Sequence, residues 1–567
     1  MTTVLIVGGY GTFGGRLARL LAEDKRVAVV VAGRSRGAAD AFCANSAMRG
    51  VALDRDGDVE GVLARVAPDV VIDASGPFQV YGDAPYRVAT ACLALGISYI
   101  DLADGSDFVE GIAAFDAAAK ARGVFVLSGA STFPALSTAV LRALTRGWRQ
   151  VERIEMGIAP SPYVDLGRSV IGAIASYAGK PVAIIRDGAA AMGAGLIDAR
   201  RLTVGAPGML PLKRRRFTLA DVPDLRLAPK LWPGLREIWA GVGTLPAIAH
   251  WGLSAAAWLV RLGLLRSLTP LAPLMHLVST RLRWGAHRGG MVVAARGIDA
   301  GGAAIARAWH LVAEGDDGPF VPVMAAVAIV AKVLDGAAPA AGARAALDEV
   351  SLEDFAPLFA RRAIRTAMHT KMPEGLPLYR RVLAEAWDAL PDAIRAMHDG
   401  VAAARGLAVV ELGRGVLARI AAAVMGFPKA GTDVPVEVTF DAKAGRETWT
   451  RRFAGAAFSS VQYAGRGRWD GLLCERFGAL SFGLALVTGD GKLRLVVRQW
   501  SAFGVKLPAF LAPVGETFER VDAAGRFCFH VEIGFPWTGL IVGYRGWLVP
   551  HQNGAGAFAE DGQARDA

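Results

Sequence analysis

The chain has 567 residues, with 63 Lys and Arg against 52 Asp and Glu for a formal net charge of +11, and 53% of its residues are hydrophobic. That length implies two to four domains with ample cores, and the apolar composition excludes a largely disordered chain. The four cysteines (Cys43, Cys92, Cys474, Cys528) are far apart and show no Cys-x-x-Cys spacing, which excludes a disulfide framework and a cysteine metal site.

The first element is an apolar run, Val4 to Val7, of the kind that forms a buried parallel strand. It is expected at a cytoplasmic N-terminus without a signal or transit peptide. Gly8, Gly11 and Gly14 follow, then a helical pattern with Phe13, Leu17, Leu20 and Leu21 on one face, then a second apolar run, Val27 to Val31. Strand, glycine turn, helix and strand make a nucleotide-binding βαβ unit, in which glycines admit a pyrophosphate and the helix N-terminus offers unpaired N–H groups. The tip of the second strand carries Arg34, Ser35 and Arg36 and no carboxylate. An acidic residue there would hold the ribose 2′-hydroxyl of NAD, whereas arginine accommodates a 2′-phosphate, so the expected cofactor is NADP.

Further strands end at Asp54, at Asp73 before Ala74-Ser75-Gly76-Pro77-Phe78, at Asp101, and at Ser128 before Gly129-Ala130-Ser131. Helical patterns lie between them, which predicts a Rossmann-type doubly wound sheet within an α/β chain, over residues 1–130. Ligands in such sheets bind beyond the C-terminal strand ends. The cofactor is therefore expected on Gly8, Gly9, Tyr10, Gly11, Thr12, Phe13 and Gly14, with Arg34 and Ser35, Asp54, and Ser75, Gly76 and Pro77.

Gly8-Gly-Tyr-Gly-Thr-Phe-Gly14, Asp73-Ala-Ser-Gly-Pro-Phe78 with Tyr81-Gly82-Asp83, Ala91-Cys92 with Gly96, and Tyr99-Ile-Asp101-Leu102 together resemble the saccharopine dehydrogenase-like NADP-binding family. The resemblance covers most of the first 140 residues. It implies a Rossmann domain followed by an α/β domain over the active cleft, and oxidation or reduction at a C=N, C=O or C=C bond. It also implies cofactor contacts from Gly8, Gly11, Gly14, Arg34 and the Gly76-Pro77 turn. After Asp101 the chain reads Leu-Ala-Asp104-Gly-Ser-Asp107 where related lipid-linked reductases read Leu-Thr-Gly-Glu, which leaves the substrate open between hydrophobic and amine-bearing compounds.

Residues 131–368 are expected to form an α+β substrate domain, with a hairpin around Asp299-Ala-Gly-Gly302. Within it, Asp198 to Arg288 carries 14 Lys and Arg against 4 Asp and Glu, including Lys213-Arg-Arg-Arg216. Ile238 to Val260 has no charged residue, and Trp232, Trp239, Trp251, Trp258 and Trp284 punctuate the insert near 200–288. Three arrangements fit: a buried lid over the cleft, a helix lying in a membrane interface, or a true span. Nucleic-acid binding does not fit, because the charges interleave with aliphatic residues.

Residues 372–550 turn to short alternating strands with a hairpin signal at Thr488-Gly-Asp-Gly491, and a sandwich or partly open barrel is expected. This part resembles a bacterial domain of unknown function found appended to such reductase-like chains. Trp469, Glu475-Arg476-Phe477, Trp500 and Trp547 there read as core before ligand pocket. A disordered tail, 551–567, is expected to follow. The eight histidines show no ligand spacing, so no metal is expected.

Hydride transfer needs a dry cleft and often one proton donor or acceptor. The strand-end candidates are Tyr81, Asp104 and Ser131, with Asp101 beside them. Tyr81 follows the Gly-Pro turn that the family places near nicotinamide, and equally suits helix packing; the aspartates equally suit helix caps. The leading expectation is an NADP(H)-dependent oxidoreductase acting on a small molecule. The alternative is a non-catalytic NADP-binding scaffold or sensor whose C-terminal domain binds a partner.

Overall fold

The structure, a computed structural model, describes residues 1–212, 214–244 and 246–551. Lys213 and residues 552–567 of the expected tail lie outside the described residues, and His551 ends the last strand. The chain forms two compact units, the first Met1–Gly205 with Leu212–Met368, the second Ala206–Pro211 with the chain from His369 onward.

In the first unit, strands β1 (Thr2–Val7), β2 (Val27–Gly33), β3 (Arg49–Ala52), β4 (Val70–Asp73), β5 (Ser98–Asp101) and β6 (Phe125–Ser128) join one parallel sheet. Its order is β3-β2-β1-β4-β5-β6, and Gly342–Ala345 pairs in parallel outside β6 as a seventh strand. The chain reverses direction across the sheet between β1 and β4, and the crevice at that switch point is where such sheets bind nucleotides. The seventh strand comes from far outside residues 1–130. Its sequence, Gly-Ala-Arg-Ala, has no β-branched residue and followed an Ala/Gly/Pro-rich stretch that reads as linker.

A second, nine-stranded mixed sheet is built around Trp148–Ala159, which pairs in parallel with Glu237–Val242 and antiparallel with Arg288–Asp299. Arg288–Asp299 and Ala304–Glu314 form the long hairpin around Asp299 to Gly302. The uncharged run Ile238–Val260 is not one element. Its first residues belong to the buried strand Glu237–Val242, and the helix covers only Ala247–Arg261, 15 residues, starting after Pro246. Among the described residues no helix is long and apolar enough to cross a membrane, so the spanning arrangement is overturned.

In the second unit ten antiparallel strands run up and down from Ala403–Leu412 to Gly539–His551, and the last pairs with the first from Ala403↔His551 to Leu412↔Val542. The barrel is closed, not a sandwich and not partly open. The closing strand Ala403–Leu412 is rich in alanine and lies before the stretch whose alternation reads as β, which is why closure is not visible in sequence. Helices Leu378–Leu383 and Asp392–His398 send Leu378, Tyr379, Leu383, Ile394 and Met397 into the same core. Glu475 accepts hydrogen bonds from Ser460, Gln462 and Arg451, and Trp500 is buried.

The strand ends of the first sheet are tied by a buried carboxylate. Asp101 Oδ1 accepts from Ala103 N at 3.0 Å, Ser128 Oγ at 2.9 Å and Gly129 N at 2.8 Å, while Oδ2 has no partner. Burial pushes this carboxyl up from 3.8 to about 7, against the opposing pull of those three donors. The folded chain therefore holds a proton that the unfolded chain releases above about pH 4. Stability falls as pH rises through the window from about 4 to about 7, by on the order of 4 kcal/mol for a shift of this size. Asp101→Asn removes that dependence, so the melting temperature of the variant relative to the parent should rise steadily from pH 4.5 to pH 7.5. A difference that stays constant across this range would exclude Asp101 as its source.

Candidate functional site

A cleft of about 830 Å³ in the first unit begins at the glycine turn and ends against the second sheet. At the first end the turn is set by close packing. Gly8 has φ +72°, and a Cβ there would meet Ser75 Cα at 2.9 Å; a Cβ on Gly14 would meet the Gly8 carbonyl oxygen at 2.2 Å. Only glycine fits either position, and together they bring the start of helix α1 (Gly14–Leu21) to the end of β1. No acidic residue occupies the first turn of α1, which suits an anionic ligand at its N-terminus.

Gly8, Tyr10, Gly11, Thr12 and Phe13 line the cleft, with Arg34, Asp54, Ser75, Gly76 and Pro77. Tyr10 packs against Gly33, where a Cβ would be 2.4 Å from the ring, and its hydroxyl accepts from Ser35 N at 3.1 Å. Arg34 is exposed and open to the cleft, whereas Arg36 is tied to Asp40 at 2.7 Å. Three expected cofactor residues do not reach the cleft. Gly9 packs on Val31, Gly14 packs on Gly8, and Ser35 caps the following helix by accepting from Ala38 N at 3.2 Å.

The middle of the cleft carries a chain of hydroxyls on a buried acid. Asp73 Oδ1 accepts from Ser75 Oγ at 2.5 Å, and Ser75 Oγ lies 2.8 Å from Tyr81 Oη. The Arg55 guanidinium sits over the Tyr81 ring, 3.4 Å from its centroid. Burial raises the Asp73 carboxyl and, with the charge of Asp73, raises the Tyr81 phenol far above its ordinary value, so the phenol stays protonated at neutral pH. The ring also packs against Phe78 and Phe108. Catalytic candidate and packing residue are here the same side chain.

At the far end the wall is apolar: Ile158, Ile174, Val242, Met291 and Leu311 come from the second sheet and from helix Gly167–Tyr177. Asp104, Asp221 and Tyr177 interrupt it. Asp104 accepts from Gln79 Nε2 at 2.9 Å and Asp221 from Ser106 Oγ at 2.7 Å. Desolvation raises the Asp104 carboxyl, and the charge of Asp221 adds to it. Ser131 lines the cleft too, and beside it the buried Thr132 hydroxyl has no hydrogen-bond partner. Arg55, Asp221, Tyr177 and Thr132 were not expected from sequence. Arg55 and Thr132 each follow a strand-end candidate directly, a signal the strand-end rule offers; Asp221 and Tyr177 arrive through the second sheet, which carries no such rule.

Two arginines of the basic run are engaged within the unit. Arg215 is buried, donating to the Pro160 carbonyl at 3.0 Å, and desolvation lowers it to about 10. Arg216 sits over the Trp251 ring, 4.3 Å from its centroid. In the second unit a smaller cavity of about 150 Å³ lies within the barrel, lined by Glu475, Phe477, Phe482 and Tyr544 among others; Trp469, Trp500 and Trp547 do not line it.

Residues 4–127 match the family described as the saccharopine dehydrogenase NADP binding domain, and residues 390–548 match a domain of unknown function, DUF4166. No curated protein matches the chain. Among solved structures, the chain is similar to apo saccharopine dehydrogenase (L-Glu forming) from Saccharomyces cerevisiae, at 14% identity over 65% of this chain and 100% of that one, with a TM-score of 0.48. It is also similar to homospermidine synthase from Legionella pneumophila in complex with NAD, at 11% identity over 65% of this chain and 91% of that one, with a TM-score of 0.42. The chain thus carries a nicotinamide-dinucleotide-binding domain of the saccharopine dehydrogenase type at residues 4–127 and a DUF4166 domain at residues 390–548.

Proposed function

We propose that the protein is an NADP(H)-dependent oxidoreductase acting on a hydrophobic or amine-bearing small molecule at a C=N, C=O or C=C bond. The observation that carries this reading is a single cleft joining the glycine turn and Arg34 to an apolar wall, with the Tyr81–Ser75–Asp73 chain between them. The donor set fits a dinucleotide phosphate. Gly8 to Phe13 and the N-terminus of α1 would receive the pyrophosphate, and Arg34 the 2′-phosphate, with no carboxylate at the strand tip to favour NAD. When bound, that cofactor supplies or accepts a hydride.

The remaining steps belong to side chains. Ile158, Ile174, Val242 and Met291 exclude water and hold the apolar part of a substrate. Asp104 and Asp221 offer a carboxylate pair to an amine, whose positive charge would relieve the repulsion between them. Tyr81, held protonated, is placed to donate to the atom that gains charge, and Ser75, anchored on Asp73, positions its hydroxyl.

Arg34→Asp should weaken NADPH binding about 10- to 100-fold, the value of one charge-assisted contact, while leaving NADH binding unchanged or improved. Fluorescence titration of both cofactors checks it, and equal affinities for NADPH and NADH in the parent would exclude the NADP assignment.

Tyr81→Phe should lower kcat by about 100-fold or more, with the NADPH dissociation constant within about twofold of the parent. Turnover is read as NADPH oxidation with a fractionated cell extract as substrate source. An unchanged rate would leave Tyr81 as packing alone.

A further inference from the structure

Helix Ala247–Arg261 is inside out for a helix on the surface of a water-soluble domain. Its polar residues face inward: His250 and Ser254 are buried, with His250 Nδ1 2.9 Å from Thr244 Oγ1 and Ser254 Oγ donating to the Leu196 carbonyl at 2.9 Å. Ile248, Trp251, Trp258 and Leu262, spaced three, seven and four residues apart, form the outward stripe, Trp251 at 56% exposure and Leu262 at 64%. The next helix, Ala272–Arg281, has no buried residue and shows Leu274 and Leu277 outward, and Trp284 beyond it is 65% exposed. Exposed apolar surface this continuous marks an interaction face.

The charges carried by this stretch itself have one sign. Residues 238–298 contain no aspartate or glutamate. Arg261 ends the first helix, Arg266 lies in the connection, and Arg281 and Arg283 end the second; all four are exposed. A second copy docked on this face would bring these cations together, whereas an anionic bilayer surface complements them. Tryptophans beside arginines on helices too short to span also match an in-plane interfacial arrangement. The pair sits next to the cleft. Helix Ala272–Arg281 packs on helix Gly167–Tyr177, and His276 Nε2 meets Asp165 at 3.0 Å; Asp165, Val170 and Ile174 line the cleft.

We propose that these two helices dock the protein on the surface of an anionic phospholipid bilayer, beside the cleft mouth, so that its substrate is a bilayer-soluble compound. The substrate clause rests on the oxidoreductase reading above; the docking does not. The test is flotation of the full chain with vesicles of pure phosphatidylcholine and of phosphatidylcholine with phosphatidylglycerol at about 4:1. The chain should float with the anionic vesicles, at least tenfold more than with the neutral ones, and lose this at high salt in proportion to its electrostatic share. The triple variant Trp251→Ser, Trp258→Ser, Leu274→Ser should cut flotation at least tenfold, and Arg281→Glu with Arg283→Glu should abolish the preference for anionic vesicles. NADPH binding measured on the same samples reports that each variant is folded, and its absence in a parent that floats would sink the oxidoreductase reading alone. The proposal is overturned if the parent stays unbound with both vesicles, if the triple variant floats as well as the parent, or if the parent sediments as a dimer that the triple variant dissociates.

Discussion

A missing side chain governs the first unit. The Gly8 carbonyl and Gly14 approach so closely that a methyl group on Gly14 would lie 2.2 Å from the oxygen, and Gly8 itself leaves no room for a Cβ beside Ser75. The first contact pulls α1 onto the end of β1; the second pulls the turn after β4 onto the turn after β1. Both sides of the switch point are thereby drawn to one place. Tyr10, carried on that turn, then needs Gly33 beneath its ring, and so the tip of β2 with Arg34 is brought to the same rim. Cofactor end and strand-end acids share a cleft because three positions have no side chain.

The acids gathered there cost stability. Asp73, Asp101 and Asp104 all sit at the C-terminal ends of neighbouring strands, and burial raises each of them. Asp101 answers a structural need, three donors on one oxygen from β5 and β6. Asp73 and Asp104 are different: Asp104 lines the cleft itself, and Asp73 is linked to it through Ser75. Raised carboxyls with a hydrogen-bonded path to a cavity are a usual mark of a site in which protons move.

How much of this is legible in sequence follows the range of the interactions. Gly8 to Phe13, Arg34, Ser75 to Pro77, Tyr81, Asp104 and Ser131 all lie at the ends of strongly apolar strands in a parallel sheet, where one rule places every end on the same side. Gly9, Gly14 and Ser35 share the motif but serve packing and capping, a distinction that depends on sub-ångström contacts no spacing encodes. Asp221 and Tyr177 arrive through the mixed second sheet, whose topology has no comparable rule. Among the strands not read from sequence, Ala403–Leu412 and Gly342–Ala345 are both poor in β-branched residues and are set by their neighbours. The first of these closes the barrel, so one weak strand hid the architecture of the second unit.

The cleft is thus assembled by two different means, and this separates what each end can specify. Its cofactor end is contiguous, most of it contributed within the first 34 residues, and held by backbone-to-backbone contact that tolerates almost no substitution. Its far end is gathered from short stretches around Ile158, Ile174, Asp221, Val242, Met291 and Leu311, which are far apart in sequence. Side chains of that kind exchange volume and polarity one at a time without disturbing the turn, since volume-conserving changes in an apolar wall cost little. The dinucleotide-binding turn is therefore tied to the fold, whereas the lining of the far end is free to drift. A motif that identifies the first with ease carries no information about the second.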